Sequence, residues 1–491
     1  MHVPDEPNIG PVQAVAIVGA ALRFPGAADP SSFHDLSVTG QRMFRKLTRE
    51  TDGGQEPGRA DMAGTASAAL RPSLLAALLD EEKLDFRAGD PADGLTVRHT
   101  LAAETAAAAL ADVPPAGRAV APGRIGVFIA DTPEPGTTAV RDWVRWRLGL
   151  LMPGDAEQAA ADRRGVLVSG NGMREMAVAG LQDLVLGSGG MADGGTAGGG
   201  TATVSGTPPG DVQCSLRAVA AACEALNSGQ FDLVLAGGVA TGIEAWTRGH
   251  VEGMSPAEWV RVYDASPTGT LPGEGCGIVA LTRAADTRAV GVPAYAEIAG
   301  WSYGPAVLPQ RPLLAEAYLR AGIDPADIQF IEGHGAATAM EDAAELSALL
   351  EVLGPQLDGD GDRCALGSVS ANIGDTRAAA GVAALLKTAF AMTADVIPPS
   401  TGCVRPNRLL RGTGTPFRLL SAAEQWPQTP VQLAAVNTLG TAALPDAPRS
   451  GPVHIILRRE RDLARRPGRH RRPALLAAVG AAADIPRQAQ P

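Results

Sequence analysis

The chain predicts an α/β fold with buried sheets. Short apolar runs alternate with alanine-rich stretches of helical composition, the pattern of strands sandwiched between helices. Hydrophobic residues make up 45% of the 491, enough for a sizeable core and too many for wholesale disorder. At roughly 150 residues per domain, the length implies two or three packed units or one large pseudo-duplicated unit. Aromatic residues are only 4%, so the core must be built from Ala, Val and Leu.

Taken in order, residues 14–18 (AVAIV) form the first strand, ending at Gly19 and leading into LRFPGAADPSSF. Residues 104–111 are alanine-rich and helix-prone. The run at 125–129, within GRIGVFIADT, is a second buried strand. Residues 187–200 (GSGGMADGGTAGGG) have the composition of a mobile loop. A helix is expected from about Ser215 to Ser228, then a strand at 233–236 followed by Gly237 and Gly238. Strands follow at 277–281, 293–298 and 328–332, with a helix at 315–321. A helix at 341–353 carries acids on one side, and the small-residue helix 378–392 has the make-up of a wholly buried one. Strands at 434–437 and 453–457 complete the pattern. Beyond Leu457 eight arginines fall between Arg458 and Arg472, the composition of a solvated end or of a docking patch for an acidic partner.

Charge and cysteine usage narrow the functional classes. Lys+Arg 42 against Asp+Glu 53 leaves a net charge of −11, which argues against a nucleic-acid binder, since phosphate contacts need a basic face. The five cysteines are an odd number with no C-x-x-C pair, so reduced thiols are expected rather than a disulfide framework or a metal site. The start, MHVPDEPNIGP, lacks the apolar stretch of a signal peptide, and the apolar run at 473–483 is too short to span a bilayer. A cytoplasmic protein without membrane contact is the expectation.

Six motifs then occur in sequence: AVAIVGAALRFPGAADPSSFHDL, FDLVLAGGV, VYDASPTGTLPGEGCGIVALTR, FIEGHGAATAMEDAAEL, LGSVSANIGDTRAAAGVAALLKT and IPPSTGCVRPNRL. Together, over about residues 14–458, they resemble the ketosynthase domain of modular or iterative polyketide synthases. FRKL near residue 45 and the VYD…PGEGCG block are most similar to the enediyne-type iterative ones. The resemblance implies the thiolase fold, with five αβαβα layers in two pseudo-repeated halves, an obligate dimer, and an acyl carrier protein as partner. It divides the chain into a flexible start (1–13), an N-terminal half (14–284), a C-terminal half (285–458) and an Arg-rich disordered tail (459–491).

A ketosynthase takes the acyl chain on a cysteine at a helix N-terminus, where the dipole and nearby cations favour the thiolate. Two histidines then hydrogen-bond the carbonyl of carrier-bound malonyl and stabilise the developing enolate, one of them supported by a lysine. The resemblance, applied without gaps, puts Val212 at the cysteine position, eleven residues before Cys223, and valine has no lone pair to attack a thioester. A one-residue gap brings in Gln213, which resembles the glutamine of decarboxylating loading ketosynthases and chain-length factors. A two-residue gap brings in Cys214. Set two residues into the first turn, Cys214 would point about 200° away from the required direction at ~100° per residue.

The remaining positions follow from the same motifs. His334, in EGHGAAT, matches the first histidine, and Thr338 the threonine that contacts the phosphopantetheine arm, with Ala336 replacing its companion. Asp342 and Glu345 match too, either as part of the site or as helix acids and caps. Asp375 replaces the second histidine and Ser370 the lysine, with Arg377 at a glutamate position. A carboxylate ionised at neutral pH repels enolate charge, so Asp375 paired with Arg377 or another cation is the preferred reading. In the C-terminal gate Gly440 is kept, Thr441 replaces a phenylalanine and Ala442-Ala443 a glycine pair. Cys276 and Cys403 match enediyne-type cysteines and are expected to be core thiols.

With three of four polar catalytic positions replaced, Claisen condensation is not expected. The leading expectation is a ketosynthase-like protein of polyketide biosynthesis that acts as a chain-length-factor-like partner of an active ketosynthase. The alternative is an enzyme of altered chemistry on acyl-carrier thioesters: malonyl decarboxylation, acyl transfer, hydrolysis or cyclisation, using His334 with Gln213 or Asp375. A carrier-protein gatekeeping module is a third reading. No resident cofactor or metal is implied; the phosphopantetheine arm belongs to the substrate. Homodimer and heterodimer are both open.

Overall fold

Nine consecutive residues, Val15–Arg23, form the first strand, β1, and all but the last are buried, as a strand covered on both faces requires. A computed structural model of the chain describes residues 11–46, 75–77, 79, 97–121, 124–131, 214–241, 255, 259–304, 310–354, 363–411, 414–439 and 451–461. Gly19 does not end β1 as expected. It sits at a register shift inside the strand, and a Cβ there would lie 2.3 Å from the Ala109 carbonyl oxygen, so glycine lets a helix approach the strand.

Helix α1 (Pro30–Thr39) starts at Asp29, whose carboxylate accepts the Ser31 and Ser32 N–H groups, and stops at the left-handed Gly40. A small ladder joins β2 (Arg45–Lys46) to β3 (Leu75–Ala76). Then come α2 (Val97–Asp112), β4 (Ile125–Ala130), α3 (Ser215–Asn227), β5 (Leu233–Ala240), β6 (Gly275–Arg283) and α4 (Ala284–Ala289). The second series is β7 (Glu297–Tyr303), α5 (Gln310–Ala321), β8 (Phe330–Glu332), α6 (Ala339–Leu353), β9 (Cys364–Gly367), the single turn α7 (Ser370–Ile373) and α8 (Ala380–Ala394). It finishes with β10 (Val396–Ile397), β11 (Phe417–Arg418), β12 (Glu424–Gln425), β13 (Val431–Thr438) and β14 (Val453–Glu460).

Two expectations shift. The strand placed at 293–298 is Glu297–Tyr303 instead, because the 293–296 segment crosses into it. Strand β14 runs on through Arg458, Arg459 and Glu460, whose partners on β13 are Leu433, Gln432 and Val431, so the folded chain reaches two residues into the segment read as tail. The 187–200 loop and the chain from 462 onward lie outside the described residues.

The main sheet has the order β11-β9-β8-β13-β14-β7-β1-β6-β5-β4. It is two sheets joined at a narrow seam: β1 and β7 share only the pairs Val15↔Ile298 and Ala16↔Glu297. Outward from the seam the pattern repeats. In the first half β1 pairs antiparallel with β6, β6 antiparallel with β5, and β5 parallel with β4. In the second, β7 pairs antiparallel with β14, β14 antiparallel with β13, and β13 parallel with β8.

Alternation along the strands assigns the layers. On β1, Val15 and Ile17 face a core that also holds residues of α3 and α8, while Ala16 and Val18 face α2. On β14, Val453, Ile455 and Leu457 face the same central core, and Ile456 faces α5 and α6. Helices α3 and α8 therefore lie against each other between the two sheets, with α2 outside one and α5 and α6 outside the other. This is the five-layered αβαβα arrangement of the thiolase fold. The two central helices are largely covered, with 10 of 13 and 12 of 15 residues buried, and α3 carries Arg217, Glu224 and Asn227 on its one half-exposed side.

Candidate functional site

Strands β8, β9 and β13 are mutually parallel where they pair, so their C-terminal ends emerge together, a common place for a site in sheets of this kind. Against these ends come the N-termini of α3 and α8. On the other half-sheet Gly238 of β5 lets the same helix starts come close: a Cβ there would meet the Ala378 carbonyl oxygen at 2.4 Å and the Ser215 Cβ at 2.8 Å. The Ser215 hydroxyl accepts the Val382 N–H at 2.8 Å, so a residue of α3 satisfies an orphan donor in the first turn of α8.

Cys214 is the N-cap of α3, with extended backbone angles, and its carbonyl accepts the N–H groups of Arg217 and Ala218. The expectation placed it two residues into the first turn; the helix begins one residue after it. The thiol is buried, with Sγ 3.8 Å from the Thr438 hydroxyl at the end of β13. Val212 and Gln213, just upstream, and Gly440 and Thr441 of the expected gate lie outside the described residues. The other four thiols are all pushed up by burial: Cys276 and Cys403 to about 12, Cys223 and Cys364 well above the usual range. Cys276 is a core thiol, whereas Cys403 is half-buried, with Sγ 3.5 Å from the Tyr263 carbonyl.

After β8 the chain turns sharply through Gly333-His334-Gly335-Ala336-Ala337, with Gly335 and Ala337 both at positive φ. Buried acids hold this turn. Glu345 Oε1 accepts the His334 N–H at 2.7 Å and the Asn437 side-chain amide at 2.7 Å; its Oε2 accepts the Gly335 N–H at 3.0 Å and the Tyr263 hydroxyl at 2.9 Å. Asp342 accepts the N–H groups of Ala337 and Tyr263. Burial, reinforced by the charge of Glu345, raises the Asp342 carboxyl to about 7, although its two backbone hydrogen bonds pull the other way. The His334 carbonyl accepts the hydroxyls of Ser368 and Ser370 at 2.8 and 3.0 Å. His334 is thus fixed at both ends of its backbone, while its half-buried imidazole makes no hydrogen bond among the described residues. Thr338 is the N-cap of α6: its hydroxyl accepts the Glu341 N–H and donates to the Glu341 carboxylate.

Asp375 lies in an extended stretch beside Leu271–Gly273, accepting and donating main-chain bonds there. Its Oδ1 accepts the N–H of Arg377, a residue at φ +47°. Burial lowers the Arg377 guanidinium to about 10 against the pull of Asp375 and Glu274. Asp375 and Arg377 therefore form a polar cluster in which the carboxylate supports a left-handed turn.

The structure links these positions. Cys214 touches Thr438; the neighbouring Asn437 bonds Glu345; Glu345 holds His334; His334 is bonded by Ser370. Asp375 leads, three residues on, to Ala378 beside Ser215. Three contributors escape motif reading. Asn437 and Tyr263 come from segments distant in sequence, and Asn437 also meets His454 Nδ1 at 3.2 Å. Lys387 makes a fully buried ion pair with Glu332 at 2.9 Å, the partner that an apolar helix with one cation demands. Among the described residues no group of three or more His, Cys, Asp and Glu is placed to hold a metal, and no helix is long and apolar enough to cross a membrane.

The chain is built on the thiolase fold, and two stretches of it are similar to ketosynthase domains. Residues 213–287 match the family described as beta-ketoacyl synthase, N-terminal domain, and residues 302–403 match beta-ketoacyl synthase, C-terminal domain. The phthioceranic/hydroxyphthioceranic acid synthase of Mycobacterium tuberculosis is 34% identical over 248 residues, covering 47% of this chain and 11% of that one. The mycoketide-CoA synthase of the same organism is 32% identical over 278 residues, covering 50% and 7%. The chain therefore spans a small fraction of the length of these relatives. In three dimensions it is similar to the ketosynthase from module 6 of the bacillaene synthase of Bacillus subtilis, with a TM-score of 0.64 at 22% identity, over 91% of this chain and 72% of that one. An oxazolomycin ketosynthase domain from Streptomyces albus gives a TM-score of 0.58 at 22% identity, over 92% and 100%. At that identity the likeness speaks for the fold, and the two family matches make residues 213–287 and 302–403 similar to β-ketoacyl synthase domains.

Proposed function

We propose that the chain is a ketosynthase-like protein, nearest in its motifs to the enediyne-type iterative ones, that does not condense and instead serves as a chain-length-factor-like partner of an active ketosynthase. One observation carries this reading. Where decarboxylative condensation needs a second imidazole, residue 375 is an aspartate whose carboxylate is taken up by the Arg377 N–H. It offers no proton to a malonyl carbonyl, and its charge opposes an enolate. Ser370 in place of the lysine supports only the His334 main chain. A protein of this kind keeps the scaffold and the tunnel walls while leaving carbon–carbon bond formation to its partner.

A second reading is favoured by Cys214, a buried sulfur at the N-cap of an α-helix beside Thr438. A sulfur at a helix start can act as a nucleophile, so the alternative is acyl transfer or malonyl decarboxylation using Cys214 or Gln213 with His334. Incubating the protein alone with malonyl-carrier protein and with an acyl thioester separates the two. The partner reading expects neither carbon dioxide release nor a thioester adduct by mass spectrometry. Carbon dioxide release that His334→Ala abolishes, or an adduct that Cys214→Ala abolishes, would establish the alternative.

A further inference from the structure

A row of buried polar side chains crosses three strands of the second half-sheet. In the register of β13, β14 and β7, His454 lies opposite Asn437 on one side and Ser302 on the other. All three are buried. Their strand neighbours Val436, Ile455 and Trp301 belong to the central core, so alternation puts the row on the opposite face, under α5 and α6. That layer is otherwise apolar, and every polar atom placed in it needs a partner.

The Asn437 amide settles where His454 carries its proton. Glu345 takes the Asn437 Nδ2–H together with the N–H groups of His334 and Gly335 and the Tyr263 hydroxyl. Turning the amide over would set its oxygen against the carboxylate, so Oδ1 is the atom that meets His454 Nδ1 at 3.2 Å. An oxygen there calls for a donor, and Nδ1 bears the hydrogen. Burial keeps the imidazole neutral, which leaves a bare lone pair on Nε2. That nitrogen is shielded from solvent and has no hydrogen-bond partner among the described residues; the same holds for the Tyr318 hydroxyl on α5. The two rings stand 5.4 Å apart between centroids, and α5 packs on both β7 and β14. A buried acceptor and a buried donor on adjoining rings each cost stability alone, and one small molecule between them satisfies both. Water can donate to Nε2 and accept from the tyrosine. Ser302 offers a third contact, since its hydroxyl donates to the Leu313 carbonyl at 2.5 Å and keeps lone pairs with which to accept.

We infer that Tyr318, His454 and Ser302 bind a single internal water molecule, and that His454, locked by it in the Nδ1–H form, is a positioning residue for the His334 turn. The path is a series of donors pointing one way. Tyr318 donates to the water, the water to Nε2, Nδ1–H to Asn437, and Asn437 to the Glu345 oxygen that also receives the His334 N–H. Turning any member round leaves two acceptors or two donors face to face in a dry layer, so the row holds Glu345 in one orientation. Nothing in this path depends on the chemistry carried out at the turn, so it stands apart from the proposed function.

Urea unfolding of the full-length protein reads the bridge by its sign. Tyr318→Phe keeps the ring and removes only the hydroxyl. Loss of a hydroxyl that holds a water lowers the urea midpoint, whereas loss of an unpaired buried hydroxyl raises it. The midpoint of Tyr318→Phe therefore falls, and a rise or no change overturns the site. His454→Phe falls too, and the double variant loses less than the two losses combined, because both ends of one bridge are gone. Additive losses would mean two unrelated groups. A crystal structure that shows ordered solvent should place one water within hydrogen-bond distance of Tyr318 Oη and His454 Nε2; a direct bond between those atoms would remove it. The positioning role is read by amide hydrogen exchange with mass spectrometry. In His454→Phe residues 333–337 exchange roughly tenfold faster while α8 keeps the parent's rate, and His454→Asn, whose amide can take the place of Nδ1–H, restores the turn. Equal acceleration of α8, or none in the turn, would reduce His454 to core packing.

Discussion

Burial strips His454 of water on every side while Asn437 offers its ring a single partner, and the imidazole is consequently lowered to about 3. The direction of the resulting pH effect follows from linkage. Between the ordinary value of 6.5 and about 3 the unfolded chain binds a proton at this residue that the folded chain excludes. Its neutral-state stability is therefore complete above 6.5 and is lost as pH falls toward 3, by at most roughly 5 kcal/mol at about 1.4 kcal/mol per unit. Asp342 acts in the opposite sense. Raised from 3.8 to about 7, it makes the fold more stable as pH falls from about 7 toward 3.8. Urea unfolding at several pH values will show a shallow net slope for the parent between 6.5 and 4. In His454→Gln the acid-destabilising contribution disappears, so stability rises as pH falls over that range. A variant with the parent's slope would mean that His454 is protonated in the fold. The same residue-level logic governs position 375: an aspartate set to accept a neighbouring N–H is a turn support, and a histidine there could not accept that bond in its charged form.

At the scale of elements, α3 and α8 decide how the site is held. A buried polar side chain on each has a partner across the layer: Ser215 caps α8, and Lys387 pairs with Glu332 on β8. Burial pushes the Glu332 carboxyl up, and Lys387 pulls it back. Removing one member strands the other in a dry core, a loss of about 3–5 kcal/mol, whereas replacing both leaves no buried charge. Lys387→Met should lower unfolding stability by that amount, and Lys387→Met with Glu332→Gln should recover most of it in a double-mutant cycle by chemical denaturation. Simple additivity of the two losses would sink the pairing. Much of the element pattern was legible from composition: alternating apolar and alanine-rich stretches located the strands and the central helices. Their ends were not, because Gly19, Gly237 and Gly238 look like terminators but sit inside strands as points of close approach, where Gly237 would otherwise put a Cβ 2.0 Å from the Gly277 carbonyl oxygen. The site divides the same way. His334, Ser370 and Asp375 stand in local motifs and were readable. The Cys214–Thr438 contact spans 224 residues and the Tyr263–Glu345 bond 82, and nothing in local spacing reports either.

For the whole molecule, the duplication seen in the two half-sheets gives the central layer two equivalent helix starts, of which α3 begins at a cysteine and α8 at a run of alanine and glycine. The second supplies packing: Gly381 lies so close that a Cβ would meet Leu216 N and Cβ at 2.7 Å. The serine at 370 and the aspartate at 375 leave this contact and the buried acids of the His334 turn intact, the combination that the proposed partner role expects, in which selection acts on shape and association more than on turnover. If that is the reason, the protein should associate with a ketosynthase that retains its cysteine and both histidines. Mixing this 50.2 kDa chain with such a ketosynthase and weighing the products by native mass spectrometry should give a one-to-one species in preference to either homodimer. The mixture should also set a product length that the ketosynthase alone does not keep. Exclusive self-association, with product length unchanged on mixing, would remove the partner role and leave the chemistry of Cys214 and His334 as the function to pursue.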